Sequence, residues 1–188
     1  NGTLKVTPRD IADAQIDMKQ TEYVYDESAH NPKPIVMING KELLKGTDFE
    51  LSYANNVNRG TATVTITGKG NYTGKVEKTF QITPKTPEKD TDCKIALPVD
   101  STYDGKSRGA SVWTRTGVGE VTVWYNDSTA LPVCAGTYNV TVEIASSENF
   151  SAVKRMNIGS FTINKRTISL DTTALKVADK TCNGRDDD

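Results

Sequence analysis

The sequence predicts an all-β protein built as tandem β-sandwiches, and three observations carry that expectation. Apolar and polar residues alternate with period two along several stretches. Turn-forming residues separate those stretches, and whole segments recur at a spacing of roughly 80 residues. Successive side chains of a strand point to opposite faces, so period-two alternation marks a sheet with one dry face and one wet face.

The elements follow in chain order. Ala14, Ile16 and Met18 share one face, with Asp13, Gln15 and Asp17 on the other. Asn39-Gly40 separates Ile35-Val36-Met37-Ile38 from Glu42-Leu43-Leu44. Asn-Gly suits a type I′ hairpin turn, whose two central residues both need positive φ. Thr61, Thr63, Thr65 and Thr67 oppose Ala62, Val64 and Ile66. Thr is β-branched yet polar, so it belongs on the solvated face of a strand. Gly68-Lys69-Gly70-Asn71 and Ser146-Ser147-Glu148-Asn149 read as turns. Val121, Val123 and Tyr125 oppose Thr122 and Trp124, and Val140, Val142 and Ile144 oppose Thr141 and Glu143. No stretch of a dozen residues carries a helical stripe that is not equally well read as a strand. Many short strands with frequent turns point to immunoglobulin-like β-sandwich domains, here set in an elongated array. The Cys-Trp-Cys pattern of antibody domains is absent.

The repeats set the domain frame. Leu4-Lys5-Val6-Thr7-Pro8-Arg9 matches Phe80-Gln81-Ile82-Thr83-Pro84-Lys85 and Phe161-Thr162-Ile163-Asn164-Lys165-Arg166. Asp100-Ser101-Thr102-Tyr103-Asp104-Gly105 matches Asp179-Lys180-Thr181-Cys182-Asn183-Gly184, and Tyr25-Asp26 is a weaker copy. The run from Gly60 to Ile66 sits over the run from Gly136 to Val142, and Asn71-Tyr72-Thr73-Gly74 over Asn149-Phe150-Ser151-Ala152. Residues 1–9 are therefore expected to be the last strand of a preceding repeat. Residues 10–84 and 85–165 are expected to be two complete repeats, and residues 166–188 the start of a third. Pro84-Lys85-Thr86-Pro87-Glu88-Lys89-Asp90 reads as a short extended linker, whereas Asn164-Lys165-Arg166 passes between alternating runs without one.

Composition narrows the function. Lys and Arg number 23, Asp and Glu 24, for a net charge of -1 over 188 residues. Without a basic stripe there is nothing to neutralise phosphates, so nucleic acid is not an expected partner. No apolar run approaches the ~18 residues a membrane helix needs, so membrane insertion by this segment is not expected. Any export signal or anchor is expected outside it. A single His and three Cys leave little for nucleophilic or metal chemistry. The expectation is no enzyme, no catalytic residues, no metal and no cofactor. His30, in Ala29-His30-Asn31-Pro32, reads as a surface loop residue. Cys93, Cys134 and Cys182 read as free thiols, with a Cys93–Cys134 pairing left open.

These motifs resemble bacterial cell-surface tandem Ig-like repeats of the MBG/YDG type. The residues that carry the resemblance in the second unit are Tyr103-Asp104-Gly105, Val121-Thr122-Val123-Trp124-Tyr125-Asn126, Ala135-Gly136-Thr137-Tyr138 and Phe161-Thr162-Ile163. The first unit is similar to a related surface repeat. It matches at Tyr25-Asp26, Leu44-Lys45-Gly46-Thr47-Asp48-Phe49, Ser52-Tyr53-Ala54-Asn55-Asn56, Gly60-Thr61-Ala62-Thr63-Val64 and Gly68-Lys69-Gly70-Asn71-Tyr72-Thr73-Gly74. It departs at Glu27, where the second unit has Gly105, and Cys182 stands where a Tyr is usual. The resemblance implies an exported protein of the cell surface or wall, a stalk or adhesin, and brings no catalytic residues.

Two kinds of residue merit a structural test. Trp113 and Trp124 alternate with apolar neighbours and are expected to point outward, where an indole either packs against a loop, a sheet edge or the neighbouring unit, or stacks on a sugar ring or docks a protein. They are the candidate ligand-binding residues, with a host glycan or matrix protein as partner. The alternatives are thus a carbohydrate-binding module or an accessory region of a larger surface enzyme. Tyr25, Asp26, Tyr103, Asp104, Gly105, Cys182, Asn183 and Gly184 are expected to be structural, a ring closing one end of a sandwich followed by a turn. The chain itself is expected to be a monomeric rod.

Overall fold

The computed structural model describes residues 6–170, so Cys182, Asn183, Gly184 and most of the expected third repeat lie outside the described residues. Among the described residues 49% are in strands and 2% are helical, as the alternation predicts. In order come β1 (Arg9–Asp10), a 3₁₀ turn (Ile11–Asp13), β2 (Gln15–Asp17), β3 (Glu22–Val24) and β4 (Ile35–Ile38). Then follow β5 (Lys41–Glu42), β6 (Phe49–Ala54), β7 (Gly60–Gly68), β8 (Tyr72–Thr73) and β9 (Lys75–Thr83). A second set comprises β10 (Cys93–Ala96), β11 (Ser101–Thr102), β12 (Ser111–Thr114), β13 (Val121–Tyr125), β14 (Gly136–Ile144) and β15 (Val153–Asn164).

Each set folds as a β-sandwich. In the first, a four-stranded sheet in the order β3-β9-β7-β6 faces a three-stranded sheet β2-β4-β5. In the second, the four-stranded sheet is β11-β15-β14-β13 and the smaller sheet is β10-β12. The inward residues of β7 (Ala62, Val64, Ile66) are fully buried, and so are Val140, Val142 and Ile144 of β14. These are the apolar halves of the alternating runs. Ile66 packs with Val36, Ile38 and Phe49 across the first sandwich. Val140 packs with Tyr125, Phe161 and Ile163 in the second. Each of these side chains contributes roughly 1.5–3 kcal/mol by leaving water.

The sequence repeats coincide in register. Gly60 pairs with Ile82 and Ala62 with Phe80, while Gly136 pairs with Ile163 and Tyr138 with Phe161. The first strand of each large sheet runs parallel to its last, Val24 beside Thr83 and Thr102 beside Asn164. Asn39 and Gly40 have φ of 52° and 76°, the two positive values a type I′ turn requires.

One irregularity distinguishes the second unit. β14 and β15 slip register twice, between Val140 and Thr141 and between Val142 and Ile144. Around the second slip Met156 still opposes Val142 and Val153 opposes Ile144, so Lys154 and Arg155 together face Glu143. Arg155 takes a positive φ of 43° there, the local distortion of a β-bulge.

His30 departs from the surface-loop expectation. Its loop is at the surface, yet its ring is only 11% exposed. It stacks on Tyr23 with centroids 4.8 Å apart, and its Nε2 lies 3.4 Å from Asp26 without hydrogen-bond alignment.

Candidate functional site

The site with the most chemistry lies where the two sandwiches meet. Past β9 the chain does not run free. The Lys85 N–H donates to the Asn149 carbonyl at 3.0 Å, and the Ser151 N–H donates to the Lys85 carbonyl at 2.9 Å. Lys85 thus pairs in parallel with Phe150, and the expected linker is stitched to a loop of the second unit. Asn149 reaches back to the first unit. Its side-chain oxygen accepts from the Arg59 N–H at 2.8 Å, and its amide donates to Asn58 at 3.3 Å.

A buried acid anchors this joint. Asp92 is fully buried, the one charged residue so placed among the described residues. Lys85 Nζ lies 2.7 Å from its carboxylate, Arg115 at 3.5 Å, and the Glu88 N–H donates to it at 3.0 Å. Burial alone would raise the Asp92 carboxyl. The Lys85 ammonium at 2.7 Å and the Glu88 amide, with the nearby Arg115 guanidinium, outweigh it and hold the group below the usual carboxylate range, while its second oxygen, facing Arg115, accepts no hydrogen bond. Arg115 also pairs with Glu27 of the first unit, so one guanidinium joins an acid from each side.

Above the charges sits an aromatic contact. The Tyr25 ring meets Phe150 edge to face, centroids 5.7 Å apart at 78°. Phe150 is 1% exposed. Tyr25, Glu27, Lys85, Glu88, Arg115 and Phe150 line an open cleft of about 520 Å³ between the units.

The repeated Tyr-Asp motif closes the end of each large sheet. The Tyr25 N–H donates to the Thr83 carbonyl at 2.9 Å and the Tyr103 N–H to the Asn164 carbonyl at 2.8 Å. Asp26 accepts from the Ser28 N–H at 2.9 Å and Asp104 from the Lys106 N–H at 3.0 Å, so each builds the same side-chain-capped turn. The Lys106 amide, then Arg108, holds the Asp104 carboxyl below its ordinary range. Gly105 has φ of +79°, and Glu27 adopts the equivalent +69° despite its side chain.

The tryptophans are not brought together. Trp113 lies on β12 of the smaller sheet, 53% exposed, with Lys94 Nζ 5.5 Å from the ring centroid on the adjacent strand. Trp124 lies on β13 of the larger sheet, on the outer face as the alternation predicts, yet it is half-buried. The guanidinium of Arg155 covers its ring at 3.9 Å while donating to Glu143 at 3.1 Å. The bulge in β15 is what brings Arg155 there.

Cys93 is buried and Cys134 exposed, both as free thiols, and burial pushes the Cys93 thiol up. Among the described residues no three His, Cys, Asp or Glu side chains gather as a metal centre would require. No helix among them is long and apolar enough to cross a membrane.

Sequence reasoning missed the joint because its members read as ordinary charge. Asp92 stands in Glu88-Lys89-Asp90-Thr91-Asp92, a run that looks solvated. The available signal was the basic residue repeated after each terminal strand: Arg9, Lys85 and Arg166.

No curated protein and no solved structure matches the chain. The family model of the MBG domain matches residues 97–167, less than half of the chain, running from just past β10 to just past β15. The MBG-type resemblance carried by Tyr103-Asp104-Gly105 and Phe161-Thr162-Ile163 is therefore shown for the second β-sandwich.

Proposed function

We propose that this chain is a non-enzymatic stalk or spacer region of a bacterial cell-surface protein, in which consecutive β-sandwiches are held in a defined relative orientation. The observation that carries the reading is the joint around Asp92. A tether that served only to connect would leave its charges in water. This one places a fully buried carboxylate between Lys85 and Arg115 and packs Phe150 on Tyr25. A joint with paired charges, backbone bridges and an aromatic contact resists bending, which is what projecting a distal domain from a surface requires. The MBG match suggests a surface-protein repeat region and brings no catalytic chemistry with it. An extracellular, wall- or surface-attached location and a monomeric, elongated array belong to the same reading.

A second reading rests on Trp113. A half-exposed indole flanked by a Lys ammonium is a workable platform for a sugar ring or an acidic partner surface. Binding of the purified chain to host glycans and matrix proteins, beside Trp113→Ala and Trp124→Ala variants, separates the two. Silence of all three proteins supports the spacer. Saturable binding lost in Trp113→Ala makes the chain an adhesive module instead.

A further inference from the structure

Two positions in this chain share one stitch, and a third presents half of it. The Arg9 N–H donates to the Asn71 carbonyl at 2.9 Å, as the Lys85 N–H donates to that of Asn149 at 3.0 Å. Arg9 pairs in parallel with Tyr72, as Lys85 does with Phe150. Each basic side chain then meets an acid a few residues on, Arg9 with Asp13 at 3.6 Å and Lys85 with Asp92 at 2.7 Å. In both cases a basic residue that follows a terminal-strand sequence engages an Asn-aromatic-Thr or Asn-aromatic-Ser loop of the unit after it.

Arg166 is the third such residue, two places past Asn164 as Lys85 is two places past Thr83. The upstream half is in place there, with the Tyr103 N–H bonded to Asn164 as Tyr25 is to Thr83. The downstream half is not. Tyr25 is covered by Phe150, whereas Tyr103 is 41% exposed and has no aromatic neighbour among the described residues. Tyr103, Cys134, Ala135, Lys165, Arg166 and Ile168 line an open groove of about 370 Å³ at this end.

We propose that the groove between Tyr103 and Arg166 is the receiving half of a further junction. Its occupant is the Asn-aromatic-Ser/Thr loop of a following β-sandwich. The aromatic ring meets Tyr103, the loop backbone bridges Arg166, and an acid of the following unit pairs with the guanidinium. A second copy of this chain is a poor occupant, because both of its loops of this type are already engaged by its own Arg9 and Lys85. The inference rests on the tandem-array reading, but its readout is local to Tyr103 and independent of any glycan or matrix binding.

The test compares the 188-residue chain with an extended one, in which Arg166 is retained and followed by a second copy of residues 86–165. Tyrosine labelling by hydroxyl radicals, resolved by mass spectrometry, reads exposure at Tyr103, with Tyr25 as the internal reference. Labelling of Tyr103 is expected to fall roughly threefold in the extended chain, to the level of Tyr25, because docking closes the surface to solvent. Phe150→Ser in the added copy should restore it. Phe150→Ser in the 188-residue chain should raise Tyr25 labelling in the same way. Unchanged Tyr103 labelling in the extended chain would overturn the proposal, whether or not the added copy gains amide protection, since the junction is held to assemble from these residues alone. So would unchanged Tyr25 labelling in the Phe150→Ser chain.

Discussion

Glu27 and Gly105 occupy the same backbone conformation, with φ of +69° and +79°, at the same place after the repeated Tyr-Asp pair. A Cβ in this region is strained by about 1 kcal/mol, which glycine avoids. The first unit keeps the strained residue, and its carboxylate reaches Arg115 of the second unit.

Glu27→Gly therefore sets two small effects against each other. Relief of the left-handed strain stabilises the first sandwich by about 1 kcal/mol. The lost ion pair is partly exposed on both sides and worth about 0–1 kcal/mol. Urea unfolding should show a neutral to slightly raised midpoint. Amide exchange at the 85–92 stretch should nevertheless quicken, because only the joint loses a contact.

Asp92→Ala is expected to be far more damaging. It leaves the Lys85 ammonium without its 2.7 Å partner and the Glu88 N–H without an acceptor. Removing one member of a buried pair costs about 3–5 kcal/mol, and the partial exposure of Lys85 and Arg115 places this case near the lower figure. Denaturant unfolding, with the Lys85→Met single and double variants completing a cycle, checks the coupling.

The same carboxylate makes the joint acid-sensitive. Its folded value lies below its unfolded one, so its contribution is fully present above the unfolded value of ~3.9 and is lost as pH falls through the folded one. Asp17 and Asp104 shift the same way, so acid destabilises more than the joint. The difference between the native chain and Asp92→Asn isolates the junction. Their gap in stability should be full at pH 7 and shrink below pH ~3.9.

Arg155→Ala should uncover Trp124. Its fluorescence emission is expected to shift to the red, since the guanidinium that lies 3.9 Å from the ring leaves. The stability loss should be modest, about 0.5–2 kcal/mol for the cation–π contact. An unshifted emission spectrum would mean that the strand, rather than Arg155, shields the indole.

Gly40→Ala tests the hairpin. No atom lies within 4 Å of the added methyl, so the penalty is backbone strain alone at φ +76°. A loss of about 1–2 kcal/mol in thermal or urea unfolding is expected. A neutral result would show that the turn shifts freely to another type.

Much of this architecture was legible because its causes are local. Alternation in Ala62-Thr63-Val64-Thr65-Ile66 states which side chains leave water, and strand geometry does the rest. Asn39-Gly40 names its own turn. The three basic exits and the two Asn-aromatic loops could be aligned by eye. What the sequence could not state was which of these segments meet. Trp124 was expected to point outward, against a loop, a sheet edge or the neighbouring unit, and none of these named Arg155 as its cover. A register slip in β15 swung Arg155 over it, and a bulge depends on the fit between two strands rather than on either alone. Asp92 looked solvated, and became the buried anchor because Lys85 and Arg115 arrive from different strands to neutralise it. Tyr25 and Phe150 were read as separate repeat positions, and the tertiary structure made them one contact. By itself the sequence determined the strands, their faces and their repetition, since those follow from side-chain periodicity. Only the folded chain decided the joint between units, because burying a charge or an aromatic ring there requires partners distant in sequence to converge.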